Sequence, residues 1–238
     1  MQTQKSPTVR ELAAVNPSAA RIFERFGIDY CCGGEKSLAE ACTAAGVNMD
    51  EVETALEKPV PEAKERDWQK APLAELVAHI VRKHHQFTRE EIARLTPLIA
   101  KVEGVHGQNH PELSKVQTLF RALAQEMTMH MMKEEHMLFP YIEQLEEAVN
   151  RGAQPAPPMF GTVENPVRMM MMEHDSSGEA LRRIRELTGG YTAPTDACVS
   201  YQTLYQALLE FEADLHQHIH LENNILFPRA VALESRAF

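Results

Sequence analysis

No apolar stretch in the chain approaches the ~18 residues that a membrane-spanning helix needs, so no membrane partner is expected. The opening MQTQKSPTVRELAAV also lacks the apolar run and small-residue cleavage site of a secretory signal. Cysteine is scarce. Cys31, Cys32, Cys42 and Cys198 are too few to scaffold 238 residues, a length that buries a sufficient core without disulfides. These shortages predict a cytoplasmic protein with reduced thiols. Cations are short as well: 24 Lys and Arg against 34 Asp and Glu leave a formal charge of −10. A phosphate backbone would find little to bind, and nucleic acid is not an expected partner. Strand signals are missing too, with no sustained period-two run and no Asn-Gly hairpin. The expected fold class is all-α.

Histidine is absent from the first 78 residues, yet eleven lie between His79 and His220, so the chain divides chemically. Residues 1–57 read as a small helical domain. Asn16-Pro17 has helix-starting chemistry, Ile22, Phe23 and Phe26 supply the apolar spacing, and Gly27 is placed to end the helix. Tyr30-Cys31-Cys32-Gly33-Gly34 reads as a permissive loop with two adjacent thiols, followed by helices from Ser37 to about Ala45 and from Asp50 to Glu57. Residues 58–70, with Pro59, Pro61 and a charged run, read as a linker.

Residues 71–238 carry four long helical patterns, which predicts a bundle. The first starts at Pro72, passes His84-His85, meets a potential kink at Pro97 and fades near Gly104. The second runs from near Pro111 to about Asn150. The third is opened by Asn165-Pro166 and closed by Gly189-Gly190, and the fourth runs from near Thr195-Asp196 to about Leu233.

Two of these patterns repeat one another. His130-Met-Met-Lys-Glu134 precedes Leu138-Phe139-Pro140, and His218-Ile-His-Leu-Glu222 precedes Leu226-Phe227-Pro228 at identical spacing. A lone histidine stands upstream of each: His174 before His218, and His85 before His130, although spacing alone does not separate His85 from His84. Residues i and i+4 share a helix face, so each imidazole can meet its carboxylate at one point. The stripes leading in are apolar: Leu123 and Met127 before His130, Phe211 and Leu215 before His218, Val167 and Met170 before His174. A bundle interior would then hold four imidazoles and two carboxylates. Burying two ionised carboxylates is expensive, and metal coordination compensates them. Iron suits that donor set, with zinc and manganese also chemically allowed, and carboxylates can bridge two ions. For one histidine an ordinary hydrogen bond is the simpler account. Duplication of the whole motif favours metal.

With Asp29-Tyr30-Cys31-Cys32-Gly33-Gly34, His130…Glu134-Glu135, Glu173-His174-Asp175 and His218…Leu221-Glu222-Asn223-Asn224 in view, the chain resembles the RIC family of iron–sulfur cluster repair di-iron proteins over nearly its full length. The resemblance implies an N-terminal module followed by a hemerythrin-like four-helix domain. It implies two non-haem iron ions per chain, held by His85, His130, His174 and His218 and bridged by Glu134 and Glu222. It favours His85 over His84, and it matches His106 to a family histidine, read here as a pocket residue rather than a ligand. The implied function is repair of iron–sulfur clusters damaged by nitrosative or oxidative stress, by iron donation or by nitric oxide binding and reduction. Damaged iron–sulfur proteins are then the partners and nitric oxide or oxygen the small ligands, with a homodimer left open. The alternative is a hemerythrin-like oxygen or nitric oxide carrier or sensor, which needs no thiol-bearing module.

Adjacent cysteines bond to each other only with a strained backbone, so Cys31 and Cys32 read as candidate functional thiols on a flexible loop that reaches another surface. Cys42 and Cys198 read as structural. His79, His84, His110, His136, His216 and His220 read as surface groups or as supports behind the ligands. Met169 to Met172 cover every side of a helix, so core packing explains them better than a copper thioether site.

Overall fold

The computed structural model describes residues 7–31, 33–57 and 66–238. Eight helices account for the regular structure among them, beside one isolated bridge between Thr8 and Ser37. Four short helices form the N-terminal unit: α1 (Val9–Val15), α2 (Pro17–Phe26), α3 (Leu38–Ala45) and α4 (Met49–Glu57). The sequence reading anticipates α2 to α4 and passes over α1. Its signal is a capping box, in which Thr8 Oγ1 accepts from Glu11 N while the Glu11 carboxylate accepts from Thr8 N. Gly27, at φ +64°, ends α2 in the left-handed conformation. Val9, Phe23, Ile28, Tyr30, Leu38, Cys42 and Val52 make the core of this unit, which places Cys42 as a packing residue.

Four long helices form the bundle. Helix α5 combines Leu73–Ile80, a π-helical turn at Val81–His85, and Gln86–His106. Helix α6 combines Glu112–Lys133, a π-turn at Glu134–Leu138, and Phe139–Asn150. Helix α7 is Glu164–Leu187, and α8 combines Val199–Leu221, a π-turn at Glu222–Leu226, and Phe227–Ala237. Helix α5 packs on α6 and α8, and α6 packs on α7. Pro97 does not end α5, which continues past Gly104 to His106. Helix α8 starts later than its sequence suggests, because Pro194 to Ala197 form a turn first and Cys198 takes the N-cap position.

The π-turns have a local cause in two of three cases. Pro140 and Pro228 lack the N–H that an α-helix would bond to His136 and Asn224, four residues earlier. The backbone widens there, and Phe139 N and Phe227 N donate five residues back, to Glu134 O and Glu222 O. At Val81–His85 the same widening carries Gln86 N to Val81 O without a proline nearby.

Charged side chains from other helices satisfy the free N–H groups at two helix starts. Glu146 of α6 accepts from Leu73 N and Ala74 N at 2.7 and 2.9 Å, and Glu234 of α8 accepts from Val163 N and the Tyr141 hydroxyl. Two apolar clusters fill the bundle. One includes Leu95, Phe120, Met127, Leu181, Tyr201, Phe211 and Leu215, and the other Leu76, Ile80, Phe139, Ile142, Val167, Met170 and Phe227. On every one of the four helices the histidines of interest fall between the two clusters. Of the four consecutive methionines only Met170 is buried, while Met169 and Met172 are exposed.

Candidate metal centre

Six side chains converge in the polar layer between the apolar clusters. His85, Glu134, His218 and Glu222 bring one donor atom each within 4.8 Å of one another, and His130, Glu134, His174 and Glu222 form a second such group. All six are fully buried. Glu134 and Glu222 belong to both groups, so they lie between two adjacent donor sets. The π-turns position them: Glu134 and Glu222 open two of these wide turns, and His85 closes the third.

The ring nitrogens show which donors face inward. His85 Nδ1 lies 2.6 Å from Glu135 Oε1, His130 Nδ1 2.9 Å from Glu173 Oε2, and His174 Nδ1 2.8 Å from Asn223 Oδ1. Each acceptor fixes a proton on Nδ1 and turns Nε2 toward the centre. The Nε2 atoms then meet in pairs, His85 with His218 at 3.1 Å and His174 with His130 at 3.0 Å. Two lone pairs at that range repel unless a proton or a metal ion stands between them. Both carboxylate oxygens of Glu134 and Oε2 of Glu222 are buried without a hydrogen-bond partner. Orphaned carboxylate oxygens beside converging imidazoles are the donor set of a hard-to-borderline metal ion, so the residues fit iron.

Electrostatics says the same. Burial disfavours the His85 cation, yet Glu134 and Glu222 raise its pKa to about 10. Burial opposes the His130 cation as well, and Glu134 foremost among its neighbours lifts that group to about 10. For Glu134, burial and the Glu222 charge push upward, but His130 and His85 hold it at about 2. The carboxylates stay ionised and draw positive charge into a buried layer, where a bound cation would take the place of protons.

The supporting residues stand in the motifs that carry the resemblance, but without a role read from sequence; each adjoins a ligand candidate. Glu135 follows Glu134 and is braced by Arg89 at 2.7 Å; Glu173 precedes His174 and pairs with Lys133; Asn223 follows Glu222. Replacing Glu135 by Ala is expected to weaken iron binding roughly 10–100-fold, the usual effect of losing a residue that orients a ligating histidine. Chelator competition on the intact protein measures it, and an unchanged affinity would sink the orienting role.

His84 separates from His85 here. It is buried rather than solvated, with Nδ1 3.0 Å from Asp214 Oδ1 and its ring stacked 6.0 Å from that of His218. His220 is also buried: its Nδ1 accepts from Asn224 Nδ2 at 2.7 Å, and burial lowers its pKa to about 4. Both back the centre instead of facing it. His136 is exposed, and His79 is half-buried against Trp68.

At its described residues the thiol loop is held in place, and Cys31 does not reach outward. Asp29 Oδ1 accepts from Cys31 N and Gly33 N, making a compact turn. A Cβ on Gly34 would stand 2.7 Å from Tyr30 O and 2.9 Å from Arg10 Cβ, so glycine serves close approach. Cys31 is 2% exposed and packs with the bundle core. Cys32 lies outside the described residues. Tyr30 pins the loop to α8: its hydroxyl donates to Glu24 and accepts from Gln217, and Asn224 Nδ2 donates to its carbonyl. His216 Nδ1 meets the same Glu24 at 3.0 Å. Neither Cys198 nor His106 behaves as expected. Cys198 is exposed at the start of α8 rather than packed, and His106 contacts it at the end of α5, away from the six-residue layer.

Fold and layer together define a histidine–carboxylate metal-binding bundle of the hemerythrin type. Residues 76–230 match the hemerythrin HHE cation binding domain family, and residues 5–60 match the ScdA_N domain of unknown function. The chain belongs to the family of the iron–sulfur cluster repair proteins YtfE. It is 39% identical to the relative so named from Escherichia coli O81 (strain ED1a), over 94% of this chain and 96% of that protein. Those from Cronobacter sakazakii and Escherichia fergusonii match at the same identity and coverage. Among the described residues, no helix is long and apolar enough to cross a membrane.

Proposed function

We propose that this chain is a cytoplasmic non-haem di-iron protein that repairs iron–sulfur clusters damaged by nitrosative or oxidative stress. The observation that carries the reading is the pair of four-residue donor groups that share Glu134 and Glu222. In this reading His85, His130, His174 and His218 are terminal ligands, the two carboxylates bridge, and two irons bind per chain. The proposed division is a thiol-bearing unit over residues 1–57, a linker over 58–70 and the di-iron bundle over 71–238; residues 58–65 of that linker lie outside the described ones. Damaged iron–sulfur proteins are the proposed clients.

Bound iron supplies the ligand exchange and electron transfer on which both ferrous ion donation and nitric oxide reduction depend. The chain's own residues set the conditions. Glu135, Glu173 and Asn223 hold three imidazoles in one tautomer. The apolar clusters on either side exclude water, and the carboxylates keep negative charge in the layer. An oxygen carrier would also use such a bundle, but the Tyr30-anchored thiol unit packed on α8 supports the repair reading over it.

The test uses Cys31→Ser/Cys32→Ser, with isotope-labelled iron transfer to a damaged cluster and nitrous oxide formation measured on the same protein. Serine keeps the size but offers no thiolate at neutral pH. Lost transfer with retained gas turnover and an intact iron spectrum is the result expected of a thiol relay. Unchanged transfer removes the relay, and lost turnover with an intact spectrum places the thiols in the gas chemistry. Failure of the wild-type protein to restore any damaged cluster overturns the repair function itself.

A further inference from the structure

Core packing accounts for only part of the methionine content. Of twelve methionines, seven are exposed among the described residues. Met49 and Met159 stand alone. The other five, Met129, Met132 and Met137 on α6 and Met169 and Met172 on α7, are between 45% and 68% exposed and fall in two short stretches. Methionine is ordinarily among the more buried side chains, so five in the open on two packed helices need a cause. Their position supplies one. Met129 and Met132 flank His130, Met137 lies three residues after Glu134, and Met172 lies two before His174. His130 and His174 meet at 3.0 Å between the helices, and Lys133 pairs with Glu173 outside them. The five thioethers therefore lie on the outer faces of α6 and α7 at the level of the metal layer.

We infer that Met129, Met132, Met137, Met169 and Met172 form a sacrificial oxidation site that consumes peroxynitrite-class oxidants outside the ligand layer. The choice of oxidant rests on the stress reading above. In the step, a sulfur lone pair attacks the terminal peroxide oxygen, the S–O bond forms as the O–O bond breaks, and nitrite leaves. The thioether loses two electrons to become the sulfoxide, and peroxynitrite gains them, so no further reductant enters. Placement decides what the product does to the fold. Met127 and Met170 sit in the two apolar clusters and Met131 is fully buried, where a polar sulfoxide would disrupt packing. On the outer faces it stays solvated, open to the methionine sulfoxide reductases that restore the thioether. Competing targets are withdrawn from solvent. All five tyrosines are buried, as are Cys31 and Cys42, and the exposed Cys198 stands at the start of α8.

The test doses the full-length, iron-loaded protein with peroxynitrite. Peptide mass spectrometry follows sulfoxide at each methionine, and iron retention is measured on the same samples. The expected result is oxidation of the five outer methionines before iron is lost, with Met127, Met131 and Met170 still reduced. Leucine keeps the size, apolarity and helix propensity at these positions, so the variant with Met→Leu at all five should retain helix content and iron before dosing. It should lose half its iron at roughly half the wild-type dose or less. M49L/M159L removes two exposed thioethers elsewhere and should match the wild type. An unchanged iron-loss curve in the five-fold variant overturns the site, and so does a comparable shift in M49L/M159L. Wild-type protein supplies an independent check. Reductase treatment after a first dose should restore its tolerance to a second, and failure to do so with the sulfoxides removed overturns the protective role. None of these readouts measures cluster repair, so this site and the repair function stand or fall separately.

Discussion

Glu134→Ala and Glu222→Ala should each abolish assembly of the metal pair while the bundle keeps its helix content. Each carboxylate serves both donor groups, so one substitution removes a ligand from two ions at once. Residues that merely orient a ligand are worth 10–100-fold in affinity, and loss of a shared ligand should exceed ~100-fold. The fold should survive, because the two apolar clusters that pack the bundle stay intact. Each substitution leaves the imidazoles drawn toward the carboxylate without their counter-charge, so the metal-stripped variants are expected to melt below stripped wild type. Iron analysis with Mössbauer spectroscopy gives the answer, alongside circular dichroism. Wild-type iron content and magnetic coupling in either variant would refute the bridging assignment. His85→Ala should follow the carboxylate variants, whereas His84→Ala should keep most of its iron, since His84 faces Asp214.

The second large effect concerns stability. Stripped protein confines two ionised carboxylates in a fully buried layer, together with the imidazoles drawn toward them. Metal replaces that arrangement with coordinate bonds formed only in the folded chain. At a free iron concentration of 1,000 times the dissociation constant, linkage supplies ~4 kcal/mol. For a chain of this size each kcal/mol moves Tm by about 2–4 °C, so the expected rise is roughly 8–16 °C. Calorimetry of stripped and anaerobically reloaded protein measures it. Equal melting temperatures would mean that the layer does not hold iron in the native state. Glu222→Ala provides the internal comparison, because it should show almost no rise on reloading.

The long bundle helices were legible because their signals are local. Apolar stripes mark the faces, Asn165-Pro166 sits at the start of α7, and Gly189-Gly190 follows its end. The ligand candidates were legible because His-x-x-x-Glu occurs twice with the same trailing Leu-Phe-Pro. Even the trailing proline carried information that periodicity cannot express. It forces the wide turn that aims Glu134 and Glu222, and a strict 3.6-residue pattern has no term for that shift. Helix α1 was missed for a different reason. It is seven residues long, and its evidence lies in the Thr8–Glu11 capping pair rather than in an apolar stripe.

By itself, then, the sequence determined the all-α class, the duplicated donors and the resemblance that these carry. Tertiary structure alone decided the choices that depend on distant partners. His84 and His85 are neighbours in the chain that spacing does not separate; the resemblance favours His85, and the placement of Asp214 and Glu135 on other helices gives the two rings different partners. Cys31 looks mobile beside two glycines, but Tyr30, Gln217 and Asn224 fasten its loop to α8. Cys198 looks like a packing residue until the end of α5 brings His106 to its sulfur. The physical reason is common to all three. Helical period and turn chemistry act over a few residues, whereas burial, orientation and donor pairing are set by contacts between segments that the chain order leaves far apart.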